Sequence, residues 1–365
     1  MESSSDTALI AQLVDEAGER GGSFWRSFGT ALRKAAVATG RGTAWLARTG
    51  YENRNYVPAV INGAIGDVLH ERGDRLAIRM SFRAGGRDVR PKELGDVRGH
   101  VAVFLHGLMA DESYWTEPFG DGEGFGPVLA RECGLTPLYV RYNTGRHISD
   151  NGQELSRLLD QLLDTHPHID RVTLSGHSMG GLVARSAGHY AAVLGRSWPR
   201  ITDSVVLLGV PNDGSHLEQA AHLTTWVLQA IPTIATNIIA RTINARSAGI
   251  KDLRLGLLVE DDWRRPDADT MGLADRTAVP LMPGVHYHLA IGTLTQSEHS
   301  ILAAYFGDGI VGGNSAVATR HSAGGASIRW RVFTNTTHLA LVSSPKVQAF
   351  ISDALATRKL LGPGP

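Results

Sequence analysis

The stretch Arg171-Val172-Thr173-Leu174-Ser175-Gly176-His177-Ser178-Met179-Gly180-Gly181-Leu182 decides how this chain folds. The apolar run Val172-Thr173-Leu174 reads as a strand over residues 171–174, and the spacing from Met179 to Leu194 reads as a helix. Gly176-His177-Ser178-Met179-Gly180 is therefore a strand-to-helix turn with a serine at its apex. Such a turn needs small residues two positions either side of the serine, because bulkier ones would collide with the neighbouring strand and helix. The helix that begins after Ser178 points its unpaired N–H groups and positive dipole end back at the serine, which favours a developing oxyanion. The competing reading is a glycine-rich turn whose serine only caps the helix.

Outward from this turn, the periodicity predicts alternating strands and helices. A strand is expected from Leu76, Ile78 and Met80, then strands at 97–105, 136–141, 204–208, 287–291 and 328–333. A helix over 151–163 shows one apolar face of Leu155, Leu158, Leu159, Leu162 and Leu163, with Asn151 and Glu154 as its start signal. A closing helix opens at Ser344-Pro345 and turns Val347, Phe350, Ile351, Ala354 and Leu355 inward. Apolar strands alternating with amphipathic helices predict an α/β fold: an open, mostly parallel sheet covered on both faces.

Two regions stand apart. Residues 1–75 read as a helical extension, in which Phe24, Phe28, Leu32 and Ala36 make a stripe among basic residues. Packing on the main domain is the preferred reading of that stripe, with a membrane-surface helix as the alternative. The main domain spans 76–361 and carries an insertion at about 212–284, too long for an ordinary loop and placed to form a cap or lid over the strand carboxyl ends. Within it, residues 219–240 are uncharged and about as long as a membrane span. His222, Thr224, Thr225, Gln229, Pro232 and Asn237 instead favour a mobile amphipathic element.

Composition narrows the function. The 365 residues carry 36 Lys+Arg against 36 Asp+Glu and are 42% hydrophobic, which excludes a disordered tail and nucleic-acid binding through bulk charge. A single cysteine, Cys133, excludes an internal disulfide or a cysteine-cluster metal site. No His-Glu-x-x-His or similar ligand spacing is found, so neither metal nor cofactor is expected. The start, Met1 to Asp15, is acidic and serine-rich without the pattern of a signal peptide, and a cytoplasmic or peripheral-membrane location is expected.

A second chemical element is the buried strand Val101-Ala102-Val103-Phe104-Leu105 running into His106-Gly107-Leu108. Such a turn can aim a backbone N–H at the serine, so the N–H groups of Leu108 and Met179 are the expected oxyanion donors. His106 and His177, on the strand-end turns beneath, are expected to be structural supports rather than bases.

With these pieces in hand, the chain resembles an α/β-hydrolase of the lipase and esterase type. His106-Gly107-Leu108, Gly176 to Gly181 and Leu208-Gly209-Val210-Pro211-Asn212-Asp213-Gly214-Ser215 are similar to the corresponding pieces of bacterial lipases and of lipase-like deacylases acting on glycosylphosphatidylinositol lipids. The resemblance runs from about Val97 to Phe350; the residues before Leu76 carry no motif of the family, and the family's calcium sites find no matching positions. It implies that acid and base follow the nucleophile Ser178 in chain order. Gly307-Asp308-Gly309 resembles the acid loop and makes Asp308 the expected acid, with Asp213 second and Glu298 third. Among 15 histidines, His338 lies just after the final strand and before the closing helix, and Asn335 to Leu341 resembles the family's histidine loop. His286, His288 and His299 read as strand or loop residues.

The expected function is a serine esterase or lipase that cleaves apolar acyl esters through an acyl-enzyme on Ser178. Trp226, Ile231 and Ile234 are the candidate acyl contacts within the insertion, whose apolar residues would line a tunnel, meet a lipid surface or simply pack the cap. The expected partner is a small-molecule or lipid ester; oligomeric state is not encoded in any motif. Two alternatives stand beside this reading: an acyltransferase using the same triad, and a non-catalytic binding module on the same fold.

Overall fold

The computed structural model describes residues 56–117, 123–210, 247–266, 276–293, 317–321 and 325–361. Helix α1 (Tyr56–Glu71) precedes a nine-stranded sheet of β1 (Ser81–Ala84), β2 (Arg87–Val89), β3 (Gly99–Leu105), β4 (Thr136–Arg141), β5 (Ile169–His177), β6 (Thr202–Leu208), β7 (His286–Thr293), β8 (Val317–His321) and β9 (Ser327–Thr334). Its spatial order is β2-β1-β4-β3-β5-β6-β7-β9-β8. From β4 through β3, β5, β6 and β7 to β9 every neighbouring pair is parallel, and the edges β1, β2 and β8 run antiparallel.

The helices are α2 (Ser113–Thr116), α3 (Phe125–Cys133), α4 (Ile148–Thr165), α5 (Met179–Val193), α6 (Ala248–Leu255), α7 (Glu260–Trp263) and α8 (Pro345–Leu361). They cover both faces of the sheet, as the parallel strands require, because those strands are apolar on both sides. One face packs Val101, Val103, Leu105, Leu174 and Leu207 against α4 and α5. The other packs Ala102, Phe104, Val206 and Leu208 against α3 and against Val347, Phe350, Ile351 and Leu355 of α8. The five residues expected to face inward on the closing helix are all buried.

Three local expectations are corrected. The strand expected from Leu76 begins instead at Ser81; Leu76 and Ile78 are held by Asn62, whose Nδ2 donates to the Leu76 carbonyl and whose Oδ1 accepts from the Ile78 N–H. The helix expected from Asn151 starts three residues earlier, at Ile148, because the Asp252 carboxylate accepts the Ile148 N–H at 2.8 Å from 104 positions away. The Asn151 side chain turns back to donate to the Asn143 carbonyl. Finally, α3 and the edge strands β2 and β8 add elements that the hydrophobic pattern did not announce.

The described part of the insertion packs on α1, α4 and α5. Ile250, Leu253, Leu258 and Val259 join the same apolar cluster as the sheet, Ser186 of α5 donates to the Leu258 carbonyl, and Ser247 donates to the Gly63 carbonyl of α1. No described helix is long and apolar enough to cross a membrane.

Candidate active site

Ser178 sits between β5 and α5 with φ 53° and ψ −124°, a conformation that L-residues avoid and that a tight strand-to-helix turn imposes. Its surroundings explain the flanking glycines. A methyl group on Gly176 would lie 2.4 Å from the Gly181 nitrogen, and one on Gly180 would lie 2.3 Å from the Leu105 carbonyl oxygen, both in rigid backbone. The Ser178 N–H is held by the Leu208 carbonyl at 2.9 Å, so β6 fixes the apex from beneath. Its Oγ is buried and has no hydrogen-bond partner among the described residues. Met179 opens α5, which places its N–H among the unpaired donors of the first helical turn beside Ser178.

The turn after β3 passes directly over this apex. A methyl on Gly107 would lie 3.2 Å from Ser178 Cβ and 3.1 Å from His177 Nδ1. The Gly107 carbonyl accepts two hydrogen bonds, from the Ala110 N–H at 3.3 Å and from His106 Nδ1 at 3.0 Å. A trans peptide points its N–H opposite its carbonyl, so pinning the Gly107 oxygen aims the Leu108 N–H away from those two donors and out of the turn. His106 is itself clamped: Nε2 accepts the Tyr142 N–H at 3.3 Å, the Tyr142 hydroxyl donates to the His106 carbonyl at 2.6 Å, and the two rings stack at 4.3 Å. With Nδ1 donating and Nε2 accepting, the imidazole is neutral, and burial lowers its pKa further in that direction.

His338 follows β9 and opens the 3₁₀ turn Leu339–Val342. Two contacts bring it against the serine turn. A methyl on Gly209, the residue after β6, would lie 2.7 Å from His338 Nδ1, and Gly209 has φ 60°, so only glycine suits the position on both counts. His177 donates from Nε2 to the His338 carbonyl at 3.0 Å, with the rings 4.4 Å apart. Burial, with His177 beside it, holds the His338 pKa well below its ordinary value, which keeps the ring neutral at neutral pH. Burial likewise pulls His177 down to about 4, so it stays a neutral hydrogen-bond donor. His286 and His288 lie on β7, where His286 Nδ1 meets Ser327 Oγ.

Asp308, Asp213, Glu298, His299, Trp226, Ile231 and Ile234 lie outside the described residues. Among the described residues no group of His, Cys, Asp or Glu is placed to hold a metal ion. The residues the motifs did not single out are those of the loop after β4, Tyr142-Asn143-Thr144, which brace the His106–Met109 turn and α1. Asn143 Nδ2 donates to the Gly66 carbonyl at 2.8 Å, and Thr144 Oγ1 accepts the Met109 N–H at 3.2 Å. A polar Asn-Thr-Gly run at the carboxyl end of a parallel strand is the available signal, since open α/β sheets build their sites there.

The strand order, parallel centre and left-handed serine between β5 and α5 settle the architecture. The chain has the α/β-hydrolase fold. Residues 142–274 match the family model described as a PGAP1-like alpha/beta domain. The chain is similar in structure to the mature Bacillus licheniformis lipase BlEst2, at 18% identity and TM-score 0.40 over 70% of this chain and 91% of that one. An esterase of the bacterial hormone-sensitive lipase family is similar at 14% identity and TM-score 0.44, over 77% and 84% of the respective chains. A lipase-esterase related protein of Clostridium acetobutylicum is similar at 9% identity and TM-score 0.38, over 76% and 98%. No curated protein matches the chain by sequence.

Proposed function

We propose that this protein is a serine hydrolase of carboxylic esters. Ser178 Oγ attacks the ester carbonyl as its proton passes to His338, and the oxyanion that forms is met by the N–H groups of Leu108 and Met179. Collapse expels the alcohol, which takes the proton from His338; water then attacks the acyl-enzyme by the same route and releases the acid. Asp308 is the proposed acceptor for the imidazolium's other N–H.

The observation that carries this reading is the pairing of a left-handed Ser178, its buried Oγ without a described partner, with a turn that packs on Ser178 Cβ at Gly107 and whose Gly107 carbonyl is held by two donors. A serine that merely capped α5 would accept a helix N–H through its side chain, and Ser178 makes no such bond. Supporting an apolar acyl substrate are the many apolar residues between 212 and 246, with Trp226, Ile231 and Ile234 as the proposed contacts and a lipid surface as the proposed setting.

The test is hydrolysis of p-nitrophenyl esters from acetate to palmitate by the parent and Ser178→Ala proteins, with fluorophosphonate labelling of both. Turnover and labelling lost together in the variant are expected, and the chain-length optimum then separates an esterase from a lipase. A folded parent protein that neither turns over nor labels would overturn the assignment.

A further inference from the structure

The turn that presents the Leu108 N–H is itself held in a strained form. The Ala110 N–H to Gly107 carbonyl bond closes a β-turn over residues 107–110, with Leu108 and Met109 as its central pair. Met109 has φ 57°, the left-handed conformation that type II turns place at this position and normally give to glycine. A long side chain there persists only if its neighbours hold it.

Two groups do so. The Met109 N–H donates to Thr144 Oγ1 at 3.2 Å, and the Thr144 side chain is buried at 1% exposure. Gly63 of α1 lies directly on the Met109 side chain, so close that a methyl there would stand 2.2 Å from Met109 Cγ. The turn is thus clamped at its start by Tyr142 through His106 and at its end by Thr144, and both clamps come from the four residues after β4.

We infer that Thr144 is a positioning residue for the oxyanion donor: its hydroxyl holds Met109 in the left-handed conformation and so fixes the peptide that carries the Leu108 N–H. This rests on the ester-hydrolase reading above. It differs from plain structural support because the bond is spent on one strained residue next to the proposed donor.

The experiment compares Thr144→Val, which keeps the shape and removes the acceptor, with Thr144→Ser, which keeps the acceptor. Each is assayed for kcat and KM on a p-nitrophenyl ester, for the rate of fluorophosphonate labelling at Ser178, for inhibition by an arylboronic acid, and for Tm. Loss of a whole oxyanion donor costs on the order of 100-fold to 1,000-fold in kcat, so a loosened one should cost about 10-fold. Thr144→Val is expected to lose that factor in kcat, labelling rate and boronate affinity alike, with KM within about twofold, because only the tetrahedral anion needs the donor in place. Thr144→Ser is expected to recover to within about threefold of the parent. Parental labelling and boronate affinity in Thr144→Val would overturn the inference while leaving the hydrolase reading intact. So would a loss confined to Tm, or one that Thr144→Ser shares in full. A parent protein that does not label at Ser178 would instead overturn the hydrolase reading, and this inference with it.

Discussion

Ser178 and Gly209 lie on adjoining turns and solve opposite problems with the same positive φ. Ser178 accepts a φ of 53° to lift a side chain into the site, and Gly209 takes 60° so that no side chain enters it. The space beside Gly209 is filled by the His338 ring, and Leu341 Cδ1 lies 3.0 Å from where a methyl would stand. Gly209→Ala would therefore push His338 away from Ser178 as well as strain the chain. The expected result is a fall in kcat/KM of about 100-fold, as for a misplacement of about 1 Å. Stability should also fall by about 1–2 kcal/mol, the cost of a left-handed non-glycine residue. Urea melts alongside ester assays separate the two effects: full activity in a destabilised variant would show that His338 does not use this space. The serine turn was legible in the sequence because Gly176 and Gly180 have a steric reason that any reader of Gly-x-Ser-x-Gly can state. The role inferred for Thr144 was not, because the strained residue it holds is Met109, 35 positions earlier.

The start of α4 shows the same division at the scale of elements. Its first N–H groups need acceptors, and the nearest sequence signal, Asn151 with Glu154, lies inside the helix. The acceptor is Asp252 of α6, fully buried, which takes the Ile148 N–H at 2.8 Å and His147 Nδ1 at 3.0 Å; His147 then stacks on Trp263 of α7 at 3.8 Å. One carboxylate thus fastens α6 and α7 to the helix layer over the sheet. Burial works against charge on His147, but the bond to Asp252 and its charge outweigh it and raise the pKa. Asp252→Ala would strand the buried Ile148 N–H and remove the partner of the half-buried His147 imidazole, and a loss of about 2–4 kcal/mol is expected. Asp252→Asn keeps an acceptor for the helix and should lose about half of that. Equal stability of all three proteins in urea would show that packing of Leu253 and Leu258 holds these elements without the carboxylate.

Across the whole molecule, the alternating pattern of apolar strands and amphipathic helices announced the layered sheet, because each strand must be covered on both faces. It left out β2 and β8, which are the short strands at the two edges of the sheet. What no pattern announced is how many histidines the fold keeps neutral. His106, His177 and His338 are all held below their ordinary pKa, burial being the first cause in each case. In the unfolded chain each would titrate near 6.5. Between that pH and about 4, the value to which burial pulls His177, these three sites bind more protons in the unfolded chain than in the folded one, and the stability they contribute falls as pH falls. Each histidine kept neutral contributes a slope approaching 1.4 kcal/mol per pH unit, so His177 alone accounts for about 3 kcal/mol across the window. His147 acts in the opposite sense: its raised pKa gives stability that is present in acid and lost as pH rises through its folded value. Urea melts from pH 7.5 to 4.5 should therefore show stability falling steeply below about 6.5. His177→Gln retains an amide donor toward the His338 carbonyl without a titrating ring, and its curve should be shallower than the parent's by about 1.4 kcal/mol per pH unit. Parallel curves would mean that His177 is charged or solvated in the folded state, and the neutral donor that ties the serine turn to the His338 loop would have to be abandoned.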